Sequence, residues 1–219
     1  MASLKILLAD DHDLMRRGLK SLIGPRPDWS ICGEAHTGSQ AVALAKQHQP
    51  DVAILDISMP ELNGLEAARR IRTVSPKTEI LILSVHYSDH LIREILRLGI
   101  RGYMVKTDSD RDLITAIETL ARHKPFFTTC ATELILTHSQ RAGANMSAPM
   151  DLSDRLTSRE REIVQLVSEG KSTKEVASLL GISVKTAETH RANIMRKLNL
   201  TTVSELVRYA IRNNIISAD

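Results

Sequence analysis

The chain has 219 residues, of which 42% are hydrophobic and only 3% aromatic, a composition that allows one large domain or two modest ones around an aliphatic core. No apolar run approaches the length that spans a membrane. The N-terminal apolar run is interrupted by Asp10, Asp11 and Asp13 before a signal-peptide core could form. The two cysteines, Cys32 and Cys130, do not have the spacing of a zinc site or of a disulfide framework. We therefore expect a cytoplasmic protein.

The charge is unevenly distributed along the chain. Residues 1–138 carry 17 Lys+Arg and 17 Asp+Glu, whereas residues 139–219 carry 12 and 9, a net charge of +3. This small excess of positive charge is a weak indication that the second part of the chain meets a polyanionic partner.

Apolar runs and helical patterns alternate strictly through the first half of the chain. Turn residues such as Gly24 and Pro25 separate them. The alternation predicts a doubly wound, five-stranded parallel sheet with right-handed crossovers. The predicted strands are 4–9, 29–35, 52–56, 79–84 and 101–106, and the predicted helices are 12–23, 38–48, 65–73, 88–98 and 110–122.

Polar side chains stand at the carboxyl ends of four predicted strands, which meet at one edge of a parallel sheet. These residues are Asp10 and Asp11, then Asp56, Ser84 and Lys106. Three crowded carboxylates repel one another and require a cation, and hard oxygen ligands suit Mg²⁺. The set favours phosphoryl transfer onto Asp56 as the nucleophile, with Lys106 and Ser84 stabilising the phosphoryl oxygens.

These motifs resemble the receiver domain of two-component response regulators over residues 4–122. The matching residues are Asp10-Asp11, Asp56 followed by Met59-Pro60, Ser84, and Tyr103 with Lys106. The resemblance implies a flavodoxin-like fold and transfer of phosphate to Asp56 from the phosphohistidine of a sensor histidine kinase. Thr107 is a departure, because many receivers carry proline there.

The resemblance also implies roles for the individual residues. Asp11, Asp56 and the backbone carbonyl of Ser58 would ligate Mg²⁺, and Asp10 would act largely through water. Ser84 and Tyr103 would form the switch that responds to the phosphate. Two simpler interpretations stay open, because Asp10 can serve as a helix N-cap and Tyr103 can be an ordinary core residue.

The second half of the chain predicts a flexible linker and four helices. Residues 125–152 form the linker, with a short helix over 126–137 and a small, polar stretch over 139–149. Thr157 with Glu160, and Ser172 with Glu175, have capping-box spacing. The turn 181–183 precedes a helix over 184–198, and a last helix covers 201–213. The core face of the 184–198 helix is predicted to be Val184, Ala187, Ile194 and Leu198.

A short helix, a glycine turn and a longer helix match a helix-turn-helix. The runs 156–162, 170–177 and 184–191 resemble the LuxR-type DNA-binding domain, and the whole chain resembles the NarL/FixJ transcription regulators. The expected domains are a receiver over 1–124, a linker over 125–152 and a DNA-binding domain over 153–219. Two residues depart from the family pattern. Thr173 stands where asparagine is frequent, and Glu188 stands where several relatives carry lysine.

The 184–198 helix would enter the major groove of double-stranded DNA. We expect Glu188, Thr189 and Ala192 to lie nearest the base edges. Lys185, Arg191, Arg196 and Lys197 are expected mainly to bind phosphates, although Arg196 and Lys197 can also be solvated surface residues. Glu188 can accept from cytosine N4 or orient a neighbouring arginine. By the same resemblance the last helix is a homodimer contact, which implies two-fold-related half-sites.

Three functions are compatible with these motifs. The first is a transcription regulator controlled by phosphorylation, which accepts phosphate on its own Asp56 but is not a turnover enzyme. The second is a phosphohydrolase that uses an aspartyl-phosphate, although Ser58 and Met59 supply no second acid or base. The third is a constitutive DNA-binding protein, against which the complete set of five site residues argues.

Overall fold

The structure is a computed structural model, and it describes residues 3–85, 88–108, 110–128, 131–132 and 156–216. The chain divides into two compact units, Met1–Met146 and Ser147–Asp219. The predicted linker stretch 139–149 and most of the predicted helix 126–137 lie outside the described residues. Within the described ranges, no helix has both the length and the apolar character needed to cross a membrane.

The first unit is built on a parallel sheet with the strand order β2-β1-β3-β4-β5-β6. The strands are β1 (Leu4–Ala9), β2 (Trp29–Ala35), β3 (Val52–Asp56), β4 (Glu79–Ser84), β5 (Gly102–Val105) and β6 (Phe126–Phe127). The predicted number of five strands was therefore one too low, although the parallel, doubly wound architecture is confirmed.

The sixth strand forms where the sequence pattern predicted the start of a helix. Phe126 pairs with Gly102 at the edge of the sheet, and its backbone N–H donates to the Arg101 carbonyl at 2.8 Å. Consecutive aromatic residues favour an extended, half-buried strand. The available edge of β5 decided between the two conformations, and this edge is a tertiary feature.

In the described part of the first unit, the five helices with complete bounds cover the two faces of the sheet. They are α1 (Asp13–Ile23), α2 (Gly38–His48), α3 (Gly64–Val74), α4 (Asp89–Arg97) and α5 (Asp110–Ala121). Strand residues alternate between two cores: Leu7 and Leu55 pack with α2, α3 and α4, whereas Ile6 and Ile54 pack with α1 and α5. This alternation follows from the two-residue period of a strand.

Strand β3 lies between β1 and β4, and all five of its residues are buried. This position explains its uninterrupted apolar run, because strands covered on both faces have no solvent side. The loop after Asp56 folds back so closely that a Cβ atom at Gly64 would lie 2.0 Å from the Asp56 carbonyl oxygen. Glycine at this position thus allows α3 to begin directly beside the end of β3.

The second unit is helical, with α6 (Ser158–Ser168), α7 (Thr173–Leu179), α8 (Val184–Leu198) and α9 (Val203–Arg212). Both predicted capping boxes are present, and a third joins Thr202 to Glu205. Ala187, Ile194 and Leu198 are buried as predicted, but Val184 is 39% exposed, so its assignment to the core was wrong. A side chain on a helix packs over the helical turn that precedes it. Because Val184 is the first residue of α8, no turn of α8 precedes it for its side chain to cover.

Candidate functional site

The sheet edge where β1 and β3 end carries a tight group of acidic side chains. Asp10 and Asp11 directly follow β1, and Asp56 is the last residue of the adjacent strand β3. One oxygen of each carboxylate and one ring nitrogen of His12 all lie within 4.8 Å of one another. The structure therefore brings together the three carboxylates that the strand-end pattern selected.

Lys106 follows β5 and reaches two of these carboxylates. Its Nζ atom lies 2.7 Å from Asp10 Oδ2 and 3.0 Å from Asp56 Oδ1, and its side chain is only 8% exposed. Burial by itself lowers the pKa of Lys106, but Asp56 and Asp10 together outweigh it, so the pKa is raised above that of an ordinary lysine. The ammonium group is therefore a permanent positive charge in the pocket.

The turn that carries Lys106 is held by Asp108, which the sequence patterns did not single out. The Asp108 carboxylate accepts a hydrogen bond from the Val105 N–H at 2.7 Å, and the Asp108 N–H donates to the Val105 carbonyl at 2.9 Å. This is the local bonding typical of an aspartate in a turn. It restrains the loop at Thr107, where many receivers carry proline.

His12 and Arg16 also contact the acidic group and were missed in the sequence. The His12 N–H donates to Asp10 Oδ1 at 2.8 Å, and Arg16 Nη1 donates to the Asp10 carbonyl at 2.8 Å. Arg16 also pairs with Asp13, although its own side chain is only 8% exposed. Arg16 could have been found from the helical pattern, because its position lies on the side of α1 that faces the sheet. His12, and not Asp10, is the N-cap residue of α1, so the capping interpretation of Asp10 was wrong.

The remaining predicted receiver residues lie near the same edge. Ser84 ends β4 and is 7% exposed, and its carbonyl accepts the Lys106 N–H at 2.7 Å. Ser58 is half-buried in the loop after β3. Tyr103 is completely buried in the core on the α4 side of the sheet. This burial is compatible both with a core role for the ring and with an inward switch position.

Burial raises the pKa of Asp56 to about 6. The positive charge of Lys106 opposes this rise, and the negative charge of the neighbouring Asp10 adds to it. The ionised carboxylate is thus destabilised in the absence of a cation. Three carboxylates and one ammonium group leave two negative charges uncompensated, which one divalent cation would balance. Within the described residues, Asp56 Oδ2 has no hydrogen-bond partner. An unpaired, buried carboxylate oxygen of this kind fits a hard cation such as Mg²⁺.

This pKa leads to a pH dependence of stability when divalent cations are chelated. Between the ordinary value of 3.8 and about 6, folded Asp56 keeps its proton while unfolded Asp56 loses it. The folded state then binds more protons, so the unfolding free energy falls as the pH rises through this window, by up to about 3 kcal/mol. The unfolding free energy of the first unit can be measured by urea unfolding, followed by the fluorescence of Trp29, the only tryptophan of the sequence.

Comparison of variants isolates the contribution of Asp56 from that of other titrating groups. Asp56→Asn removes this part of the pH dependence, whereas Asp51→Asn keeps it, because Asp51 is an exposed carboxylate at the opposite end of β3. Identical pH profiles for the wild type and Asp56→Asn would contradict the assignment.

In the second unit, the residues predicted to contact DNA lie along α8. Lys185, Glu188, Thr189, Ala192 and Arg196 are exposed, and their spacing of three or four residues places them on one face. Arg191 is half-buried beside this face. The Thr189 hydroxyl donates to the Lys185 carbonyl at 2.9 Å, which uses its only proton within the helix.

Two of the predicted phosphate ligands already have partners within their own domain. Lys197 Nζ lies 2.5 Å from Glu160 Oε1, which links α8 to the capping box of α6. Arg196 donates to the Asn193 side chain at 3.0 Å. In contrast, Glu188 makes no hydrogen bond or ion pair within residues 156–216. The structure therefore offers Glu188 as a free carboxylate and does not pair it with an arginine.

Arg159 fixes the turn before α8 and was not recognised as important in the sequence. Its guanidinium donates to the Leu180 carbonyl at 2.5 Å, at the end of α7, and pairs with Glu162 at 2.9 Å. This contact satisfies a terminal carbonyl of α7 and ties the glycine turn to α6. The orientation of α8 therefore depends on a side chain that lies outside the helix-turn-helix itself.

Comparison with known families identifies both units. Residues 6–118 match the model of the response regulator receiver domain, and residues 154–210 match the model of the bacterial regulatory proteins of the luxR family. The oxygen regulatory protein NreC of Staphylococcus carnosus is 36% identical, covering 97% of this chain and 99% of that protein. The transcriptional regulatory protein MctR of Rhizobium johnstonii is 34% identical, with 98% and 96% covered.

Solved structures agree with this assignment. A LuxR-family two-component response regulator from Aurantimonas is 27% identical, covers 64% of this chain and 99% of that one, and has a TM-score of 0.59. A complex of the response regulator RcsB with DNA is similar in fold, with 22% identity, 96% and 98% coverage and a TM-score of 0.59. The chain therefore belongs to the NarL/FixJ family of two-component response regulators, DNA-binding transcription regulators that are not turnover enzymes.

Proposed function

We propose that this response regulator accepts a phosphoryl group on Asp56 from a sensor histidine kinase and that the modification controls its binding to DNA. The observation that carries the proposal is the group formed by Asp10, Asp11, Asp56 and Lys106 at the end of β3. Lys106 supplies a fixed positive charge, and the unpartnered oxygen of Asp56 supplies a nucleophile in one buried pocket.

The chain's own residues have distinct tasks in this transfer. An oxygen of Asp56 forms a bond to phosphorus while the phosphorus–nitrogen bond of the kinase phosphohistidine breaks, and the electron pair of that bond stays on the imidazole. Asp11, Asp56 and the Ser58 carbonyl would hold Mg²⁺, with Asp10 acting through water. The bound cation would neutralise charge on the phosphoryl oxygens. Lys106 and Ser84 stabilise the other oxygens of the group.

The response of the domain would use Ser84 and Tyr103. A phosphoryl group on Asp56 offers acceptor oxygens to the hydroxyl of Ser84 at the end of the neighbouring strand. Movement of Ser84 towards these oxygens changes the space available to the buried ring of Tyr103 on β5. Phosphorylation would then bias a two-state receiver by local contacts.

The output would be DNA binding through α8 in the major groove. RcsB, which shares the fold, forms a complex with DNA. In this chain Glu188, Thr189 and Ala192 would face base edges, while Lys185, Arg191 and Arg196 would bind phosphates. The free carboxylate of Glu188 favours an acceptor role towards cytosine N4. Lys197 would reach a phosphate only by leaving Glu160.

A homodimer on DNA is supported by the surface of α9. Val203 is 40% exposed, and Val207 and Ile211, which follow at intervals of four residues, are half-buried. They form an apolar stripe along one side of the helix, separate from the buried Leu206 and Ala210. Pairing of two such stripes would produce a two-fold axis and so two-fold-related half-sites on the operator.

Genome-wide footprinting of the wild type and Asp56→Asn tests the proposal as a whole. We expect the wild type to protect a set of two-fold-related sites under phosphorylating conditions and Asp56→Asn to lose most of that occupancy. Asp51→Asn, which removes a carboxylate from the other end of β3, should behave like the wild type. Equal occupancy for the wild type and Asp56→Asn would rule out phosphate control and leave a constitutive DNA-binding protein.

A further inference from the structure

We propose that His12 is a direct nitrogen ligand of the cation at the acidic group and that it shifts the cation preference of this pocket from Mg²⁺ towards Mn²⁺ and later first-row ions. The inference rests on the proposed cation site of Asp11 and Asp56 and goes beyond it, because the sequence pattern assigns that site oxygen ligands alone. It concerns which cation the regulator binds in a cell that contains both.

The position of the imidazole is the first argument. His12 Nδ1 lies 3.0 Å from Asp11 Oδ1 and 3.3 Å from Asp10 Oδ1. In an octahedral site with bonds of about 2.1 Å, neighbouring ligand atoms lie about 3.0 Å apart. The separation of His12 Nδ1 from Asp11 Oδ1 therefore matches two adjacent ligands of one ion. The group of four donor atoms also includes an oxygen of Asp56.

The hydrogen bonding of the same atoms is the second argument. Among the residues that the structure describes, Asp11 Oδ1 has no hydrogen-bond partner, although His12 Nδ1 is only 3.0 Å away. Asp56 Oδ2, in a side chain that is 2% exposed, is also without a partner. Two carboxylate oxygens without a hydrogen-bond partner and a nearby imidazole nitrogen are a suitable donor set for one cation.

The backbone keeps the imidazole in this position. The His12 N–H donates to Asp10 Oδ1 at 2.8 Å, and His12 is the N-cap of α1 with an extended backbone. The side chain is 63% exposed, so no core packing opposes a small adjustment of the ring. A nitrogen ligand adds little for Mg²⁺, which prefers carboxylate and water oxygens, but it strengthens binding of first-row transition ions.

The test compares Mn²⁺ and Mg²⁺ binding by the full-length wild type, His12→Ala and a matched control, His36→Ala. His36 is an exposed histidine whose Nδ1 lies 3.9 Å from Asp13, outside the donor group. The electron paramagnetic resonance signal of free Mn²⁺ gives its affinity, and displacement by Mg²⁺ gives that of Mg²⁺. Electron spin-echo modulation from nitrogen reports whether an imidazole is bound to Mn²⁺.

We expect His12→Ala to weaken Mn²⁺ binding by roughly three- to tenfold, to leave Mg²⁺ affinity within about twofold, and to abolish the nitrogen modulation. His36→Ala should match the wild type in all three measurements. Nitrogen modulation that persists in His12→Ala, or equal losses for both ions, would overturn the role of His12 while leaving the cation site intact. Failure of the wild type to bind either ion would overturn the cation site itself.

Discussion

Asp56→Asn is expected to abolish stable phosphorylation of the protein by acetyl phosphate in the presence of a divalent cation. An amide oxygen is a poor nucleophile and carries no charge for a cation, so both functions of the residue are lost together. Intact-protein mass spectrometry should show one added phosphoryl group on the wild type and none on Asp56→Asn. The same spectra, collected over time, show whether the modified protein accumulates, as a regulator requires, or is rapidly hydrolysed.

Two control variants separate this chemistry from a loss of folding. Asp51→Asn should still be phosphorylated, because its exposed carboxylate lies at the other end of β3. Lys106→Met keeps Asp56 but removes the ammonium group that contacts Asp10 and Asp56. Phosphorylation should therefore be slowed, or the switching effect of the phosphoryl group weakened. Phosphorylation of Asp56→Asn to the wild-type level at Asp10 or Asp11 would contradict the assignment of Asp56 as the acceptor.

Glu188→Ala is expected to relax the base preference of the operator at one base pair in each half-site. The wild-type carboxylate is exposed and unpaired within its domain, so its hydrogen-bonding capacity is available to cytosine N4. Loss of such a contact removes about 1–3 kcal/mol of discrimination against the wrong base pair. Binding of the variant to a library of operators with single substitutions measures this change position by position.

Lys185→Ala is the matched control, because Lys185 lies one turn before Glu188 on the same exposed face. If Lys185 binds a phosphate, its loss weakens binding to all operators alike and lowers the slope of log affinity against log salt by about one. Glu188→Ala should leave that slope nearly unchanged. An unchanged base preference at every position in Glu188→Ala would show that Glu188 does not read sequence.

Acceptance of phosphate by Asp56 and base recognition by Glu188 are carried by different domains and can fail independently. Phosphorylation of Asp56 can succeed in a protein whose Glu188 reads no base, and Glu188 can read cytosine in a protein that ignores phosphate. A double variant, Asp56→Asn with Glu188→Ala, should combine the two defects additively in DNA binding if the domains act only through a shared equilibrium.

The sequence by itself determined the order of the first five strands and their helices in the first unit, and the residues at the strand ends. The reason is physical: a buried parallel strand has an uninterrupted apolar run, so the first polar residue after it, such as Asp56, marks the end of the strand. Capping boxes were equally readable, because Thr157 and Glu160 contact each other within one turn. Family motifs over residues 4–122 and in the runs 156–162, 170–177 and 184–191 supplied the expected roles of the site residues.

Only the tertiary structure decided features that depend on contacts distant in sequence. Phe126 became a strand because the edge of β5 was available, whereas its local pattern was compatible with a helix. Lys197 is tied to Glu160, 37 residues away, so the charge pattern of α8 alone misrepresents its surroundings. His12 adjoins Asp10 and Asp11 in the chain, but Asp56 joins them only because β1 and β3 pair side by side in the sheet.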